Sequence, residues 1–193
     1  MDTTAFFLVL FVHLASLVLA FGAVLVIDIF GPLWIVRKKT LHEVFRVAGV
    51  TQILIWIGWF GLVATGIPLL VMKGFLDDLI WLKIFFVALA GLNGLFLDRI
   101  KKEGQRIPDL EHPPARLIFR IALSSAVSQM SWWGAIIIGF YHRHIEHVVR
   151  WPKHPVLWMA AISAAIAIVY FAGSRLFRPK APAPVPEKAD EAS

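Results

Sequence analysis

Cysteine is missing from this 193-residue chain, and charged residues are scarce. Without thiols the protein can form no disulfide bond and no thiolate metal site. Charged residues make up 17% of the sequence, whereas soluble domains carry about 25%. The sequence also lacks a phosphate-binding P-loop, a dinucleotide-binding fingerprint and a recognisable nucleophile–base–acid set. These absences exclude thiol chemistry. They also argue against an ordinary soluble enzyme and against a disordered protein.

Apolar residues make up 59% of the chain, and its mean hydropathy is +0.73. A bilayer is the environment that can cover so much apolar surface, and each helical span of it needs about 20 apolar residues. Five stretches meet this length, too many for a single-span anchor. They predict an all-α membrane protein, a bundle of five transmembrane helices within residues 1–177, with spans at about 4–28, 48–71, 79–98, 118–141 and 156–174. The Pro/Ala-rich segment 178–193 is predicted to be a disordered cytoplasmic tail.

Lysine and arginine are distributed unevenly between the segments that flank the predicted spans. With the N-terminus outside, fourteen of them fall on the inner side and four on the outer side, and Lys83 lies within a span. Basic loops stay on the cytoplasmic side of a membrane. The sequence therefore predicts a multi-pass protein of the cytoplasmic (inner) membrane, with its N-terminus outside and its C-terminus in the cytoplasm. The net charge of +6 is explained by these loops and does not indicate nucleic acid as a partner.

His13 is the histidine that lies well inside a predicted span. It stands about eight residues from the outer end of the first helix, which corresponds to a depth of roughly 12 Å. Polar side chains inside a bilayer are costly and often functional. A buried imidazole can bind haem or copper, or it can hydrogen-bond a neighbouring helix as part of the packing. Both interpretations of His13 remain open from the sequence.

Lys83 lies about five residues inside the outer end of the third span. A lysine near a helix end can extend its side chain to the membrane surface. Alternatively, the ammonium faces the interior of the bundle, where it can bind an acidic group such as a haem propionate. Because His13 and Lys83 have similar predicted depths, the two residues are candidates for one cofactor site.

The predicted outer loop between the last two spans is rich in histidine. His142, His144 and His147 lie close together there, with Glu146 among them. Imidazole and carboxylate groups are ligands for copper and zinc, so this cluster is a candidate metal site. Histidines are also common at hydrated membrane edges, which is the alternative explanation of the cluster.

The fourth span carries a polar stripe at helical spacing, formed by Ser124, Ser128 and Ser131. Small hydroxylated residues in a span usually allow helices to pack closely. Asn93 in the third span has the same interpretation, as a site of hydrogen bonding between helices. The stripe therefore predicts contact with another helix, either within this chain, in a membrane protein partner or in a homo-oligomer.

Three short segments together resemble a group of small polytopic membrane proteins. They are Val12-His13-Leu14-Ala15-Ser16, Thr65-Gly66, and Trp81-Leu82-Lys83 with the later Leu92-Asn93. The chain is similar here to the copper-resistance D-type membrane domain and to the haem-containing protoporphyrinogen oxidase of bacterial membranes. The resemblance implies that His13 is a haem or metal ligand and that Lys83 is a functional cation.

The residues and the resemblance lead to one expected function and one alternative. We expect an integral membrane protein that binds haem b or copper in the outer half of its bundle, for redox chemistry or metal handling. The alternative is a non-catalytic structural or assembly factor that packs its polar stripe against partner helices.

Overall fold

The computed structural model describes residues 3–74, 76–107, 112–144 and 154–177, with the backbone alone described at 142–144. These residues are helical and contain no strand. Five helices follow one another: α1 (Thr3–Ile35), α2 (Leu41–Lys73), α3 (Asp78–Gly104), α4 (Ala115–His144) and α5 (Pro155–Leu176). All five are long and apolar enough to cross a membrane. The predicted all-α protein with five transmembrane helices is confirmed, whereas the orientation of its termini remains a prediction. The tail 178–193 lies outside the described residues.

Short polar segments define where the helices begin and end. Thr40 accepts a hydrogen bond from the backbone N–H of Glu43, and the Glu43 carboxylate accepts one from the N–H of Thr40, which forms a capping box before α2. Asp77 caps α3 by accepting from the N–H of Ile80 at 2.8 Å. Gly74 ends α2 at φ 78°, a left-handed conformation that glycine adopts without strain.

Four of the helices extend several residues beyond the predicted spans. The sequence places the end of the first span at Asp28, but α1 continues to Ile35. The predicted span 48–71 lies within a helix that begins at Leu41. Charges mark the limits of the hydrocarbon layer and do not end a helix, because charged side chains are readily solvated in the headgroup region. Asp28 therefore lies inside a helix rather than in a loop.

The bundle is built from two helical hairpins. In the first, α1 packs closely along α2, and small residues form the contact between them. Ala20 is fully buried there. A Cβ atom added to Gly58 would lie 2.6 Å from both the Ala20 Cβ and the Ser16 carbonyl oxygen, and one on Gly61 would lie 2.3 Å from Ser16 Oγ. We call Ser16, Ala20, Gly58 and Gly61 the glycine seam. It lets the two backbones approach closely.

The second hairpin pairs α3 with α4, and α5 packs against the outside of both. Its buried cluster consists of Leu79, Leu82, Phe86, Ala135, Ile138 and Tyr141. Asn93 Nδ2 donates to the Ser124 carbonyl oxygen at 2.9 Å, which confirms the predicted role of Asn93 in hydrogen bonding between helices. Few backbone positions of α2 approach α3. Side chains join the hairpins instead, as where Trp59 Nε1 donates to the Val87 carbonyl oxygen at 2.9 Å.

The glycine seam predicts that Gly58→Ala destabilises the protein. The new methyl group would meet backbone atoms of α1, which cannot move aside as a flexible side chain can, so we expect a loss of about 1–3 kcal/mol. Gly49→Ala is the matched control, because a Cβ there meets nothing within 4 Å and alanine favours the helix. Thermal unfolding in detergent measures both. Equal melting temperatures for the two variants would contradict the role of the seam.

Candidate functional site

His13 and Thr65 face each other across the first hairpin. His13 Nδ1 lies 2.8 Å from Thr65 Oγ1, which is hydrogen-bond distance. Gly66, the next residue, also lies beside the ring, since a Cβ atom there would be in ordinary van der Waals contact with His13 Cε1 at 3.7 Å. Two segments that the sequence singled out separately, around His13 and at Thr65-Gly66, therefore meet at one place.

The direction of the His13–Thr65 hydrogen bond follows from the second contact of the threonine. Thr65 Oγ1 donates its proton to the Gly61 carbonyl oxygen at 2.6 Å, so it can only accept from His13. Nδ1 of His13 must then carry the hydrogen. In a neutral ring Nε2 then carries a lone pair and no hydrogen. The Leu62 backbone also forms a hydrogen bond with His13, and its carbonyl oxygen lies 3.4 Å from Thr65 Oγ1.

Lys83 extends from α3 towards α4. A Cβ atom on Gly139 would lie 3.4 Å from Lys83 Nζ, so the ammonium rests against the α4 backbone where that residue has no side chain. The shared site that the similar depths of His13 and Lys83 suggest remains a prediction. Within the part of the chain that the structure describes, Lys83 forms no ion pair or hydrogen bond. It is a partly buried cation that rests against α4.

The predicted metal cluster is only partly described. The backbone of His142 and His144 continues α4 to its last residue, their side chains are not described, and His147 lies outside the described residues. Within the described ranges, no group of three or more histidine and acidic side chains is arranged to hold a metal ion. The candidate ligands His142, His144 and His147 therefore remain a prediction.

A large cavity separates the two hairpins at the end that carries the α1–α2 loop. Its volume is about 1320 Å³, which exceeds the roughly 300–1,000 Å³ of most ligand pockets. Trp56, Trp59 and Trp132 line its inner part. His13 and Lys83 are not among its lining residues. Asp28 does line the cavity. It lies about 22 Å further along α1 than His13, since a helix rises about 1.5 Å per residue.

Polar side chains from four helices line this cavity. We call Asp28, Gln52, Lys101, Ser125 and Ser128 the polar layer. The antiparallel register set by His13 with Thr65 and Ala20 with Gly58 puts Asp28 opposite residue 50, close to Gln52. Lys101 donates to Gln52 Oε1 and also pairs with Asp98 at 3.3 Å. Ser125 and Ser128 form no hydrogen bond with their side chains among the described residues.

Asp28 is held by a chain of hydrogen bonds from α4. Trp133 Nε1 donates to Gln129 Oε1 at 3.1 Å, and Gln129 Nε2 donates to Asp28 Oδ2. Because an indole N–H can only donate, the Trp133 contact fixes the orientation of the Gln129 amide. The Trp133–Gln129 hydrogen bond lies within α4, and the Gln129–Asp28 hydrogen bond crosses from the second hairpin to the first. The chain holds one carboxylate oxygen of Asp28, Oδ2.

The polar stripe of α4 is used inside the chain. Ser124 and Ser131 are buried, with 2% and 0% of their surfaces exposed. Ser131 Oγ donates to the Val127 carbonyl oxygen at 2.7 Å, and the Ser124 carbonyl accepts from Asn93. Ser128 lines the cavity. The stripe therefore packs α4 against its own neighbours and borders the cavity, rather than forming an outer surface for a partner helix.

The sequence prediction missed the polar layer. Asp28 had been placed at the end of a span, and Gln52 and Lys101 had no evident partners. A signal was nevertheless present, because Gln52 is an amide within an otherwise uncharged stretch, and such a group needs a partner in a bilayer. That the partner is Lys101 depends on how the two hairpins meet.

Comparisons with protein-family models, with curated proteins and with solved structures return no match for this chain. The similarity to the copper-resistance D-type domain and to the haem-containing oxidase therefore remains a prediction. The functional argument depends on the geometry of the residues themselves.

The hydrogen bonds at Thr65 predict the protonation of the imidazole. In protein labelled with ¹⁵N-histidine and studied at mildly alkaline pH, the His13 signals should show hydrogen on Nδ1 and none on Nε2. Thr65→Val removes the acceptor and should yield a mixture of both tautomers, whereas Thr65→Ser should preserve the wild-type spectrum. The His13→Ala spectrum assigns the signals. Hydrogen on Nε2 in the wild type would contradict the proposed direction of the hydrogen bond.

Proposed function

We propose that this protein binds haem b in the membrane, with Nε2 of His13 as an axial ligand, and uses it for redox chemistry. One observation carries the proposal: the Thr65 hydroxyl holds Nδ1 and leaves Nε2 with a free lone pair. Ligating histidines in metalloproteins commonly donate from the other ring nitrogen to a fixed acceptor, which orients the ring. The His13–Thr65–Gly61 contacts provide this arrangement before any ligand binds.

The set of donors near His13 suits haem better than copper. A haem iron needs only one or two axial ligands from the protein, because the porphyrin supplies four nitrogen atoms. Copper sites in proteins combine several imidazole or sulfur ligands. The described residues place no other histidine beside His13, and the chain contains no cysteine. A copper site would have to recruit the predicted cluster His142, His144 and His147.

Lys83 completes the proposed site as a cation for an acidic group of the ligand. Its ammonium rests against α4 at Gly139 and has no ion-pair partner among the described residues. A partly buried cation without a partner is costly, and a haem propionate would supply the missing negative charge. When bound, haem supplies an iron centre that gains or loses one electron. His13, held by Thr65, would present the ring nitrogen to the iron, and Lys83 would balance the propionate charge.

The alternative function, a structural or assembly factor, is less well supported by the structure. It was based on the polar stripe, and two of the three serines of that stripe are buried within the chain's own bundle. Replacing them would disturb the contact between α3 and α4 before it affected any partner. We therefore keep haem binding as the proposed function.

The proposal predicts an absorption band of haem that depends on His13. Full-length protein expressed with haem supplied and purified in detergent should show a Soret band, and His13→Ala should lose it. Lys83→Met should keep the band but release haem several-fold faster, because one charge-assisted contact is lost. Elemental analysis of the same samples measures iron and copper and separates the two ligands.

His154→Ala is the matched control, since His154 precedes α5 and lies outside the His13 site. This variant should bind haem as the wild type does. A colourless wild-type protein, or a His13→Ala variant with an unchanged Soret band, would refute the assignment. Copper without iron in the wild type, lost in His13→Ala, would replace haem by copper at the same nitrogen.

A further inference from the structure

The cavity between the hairpins differs in character from its inner part to its mouth. Trp56, Trp59 and Trp132 form the inner part, together with small residues such as Ala90 and Gly91. The polar layer lies between these tryptophans and the mouth. The mouth is formed by the loop between α1 and α2 and by His112, which precedes α4. The cavity therefore has an apolar inner part, a polar middle and an open mouth. An amphiphilic molecule has its apolar and polar groups in the same order.

The charges around the mouth are predominantly positive. Four lining residues are basic and two are acidic: Arg37, Lys38, Lys39, Lys101, Asp28 and Glu43. Glu43 is engaged by Lys39 at 2.9 Å and by the cap of α2. Arg37 and Lys38 form no side-chain hydrogen bond or ion pair among the described residues. Counting the described residues alone, two cations at the mouth are left without a partner.

Arg37 occupies a backbone position that favours glycine. Its φ is 58°, and its N–H donates to the Trp34 carbonyl at 2.9 Å while that of Lys38 donates to the Leu33 carbonyl at 2.8 Å. These are the two hydrogen bonds of a Schellman motif, whose left-handed residue is usually glycine. An arginine there costs conformational energy. Such strain is typical of residues retained for a function rather than for stability.

We propose that this cavity binds one anionic phospholipid. The phosphate would lie at the mouth near Arg37 and Lys38, and an acyl chain would extend to the tryptophans. Basic pockets between transmembrane helices bind anionic headgroups, and the predicted orientation places this mouth at the cytoplasmic leaflet, which holds such lipids. A free phosphate would leave the apolar inner part empty, so the lipid is the better match. The proposal is independent of haem binding at His13.

The polar layer determines how deep the headgroup can enter. The Asp28 carboxylate would repel a phosphate and so keeps it at the mouth. Ser125 and Ser128 have hydroxyl groups without partners among the described residues, and Lys101 and Gln52 line the same cavity. These groups can donate to the ester carbonyl oxygens of a lipid, which lie between its phosphate and its acyl chains.

Native mass spectrometry of the full-length protein in a zwitterionic detergent tests the proposal. We expect one phosphatidylglycerol retained per chain, and little phosphatidylcholine at equal concentration. Phosphatidylglycerol with a brominated acyl chain should also quench the tryptophan fluorescence in a saturable manner. Combining Arg37→Gly with Lys38→Ser should weaken phosphatidylglycerol binding by at least about tenfold, since each cation near an anionic surface contributes about 1 kcal/mol. Ser128→Phe should also reduce binding, because the ring fills the cavity without changing its charge.

The control is the double variant Arg46→Ser with Arg99→Ser, which removes two exposed cations that do not line the cavity. It should bind phosphatidylglycerol as the wild type does. Arg37→Gly alone should raise the melting temperature of the lipid-free protein, because it relieves the strained φ, while lowering lipid affinity. Unchanged affinity in the Arg37/Lys38 variant, equal binding of phosphatidylcholine, or displacement of the lipid by inorganic phosphate would each overturn the proposal.

Discussion

The close contact between α1 and α2 is the constraint on which the rest of the structure depends. The Ser16 carbonyl and Ala20 lie against Gly58, and this contact fixes the register of the two helices. The same register brings His13 to Thr65 at one end and Asp28 towards Gln52 at the other. Inside a bilayer the lipid tails are as apolar as the helix surfaces, so the hydrophobic effect does not drive the helices together. Van der Waals packing of small residues must therefore supply this contact.

The two hairpins meet through large side chains rather than through their backbones. Trp59 reaches from α2 to the Val87 carbonyl, and its ring rests against Gly91. Trp132 packs with Ala20 and Val24. Tryptophans keep the hairpins apart at this level, and towards the α1–α2 loop the gap becomes the cavity. Close packing within each hairpin and spaced packing between them thus have one origin, the distribution of small and large residues along the helices.

The number and the approximate position of the spans could be predicted from the sequence, because hydrocarbon thickness and the need to satisfy every backbone hydrogen bond leave few solutions. His13 and Asn93 could also be singled out, since polar residues are rare in such spans, whereas Thr65 was singled out only through the resemblance. Their partners were harder to predict. The contact of Asn93 with the Ser124 carbonyl, or of Gln129 with Asp28, depends on helix rotation and register, which are set by packing between segments far apart in sequence.

The two proposed sites differ in how their polar groups are prepared for a ligand. At His13, one threonine hydroxyl both donates to its own helix and accepts from the imidazole. The backbone of α2 therefore orients the His13 ring through Thr65. At the cavity, the polar groups pair across the gap, Gln52 with Lys101 and Gln129 with Asp28. These pairs also join the two hairpins. A ligand that enters the cavity must therefore fit around the contacts that hold the bundle together, which favours a narrow, flexible chain over a rigid disc.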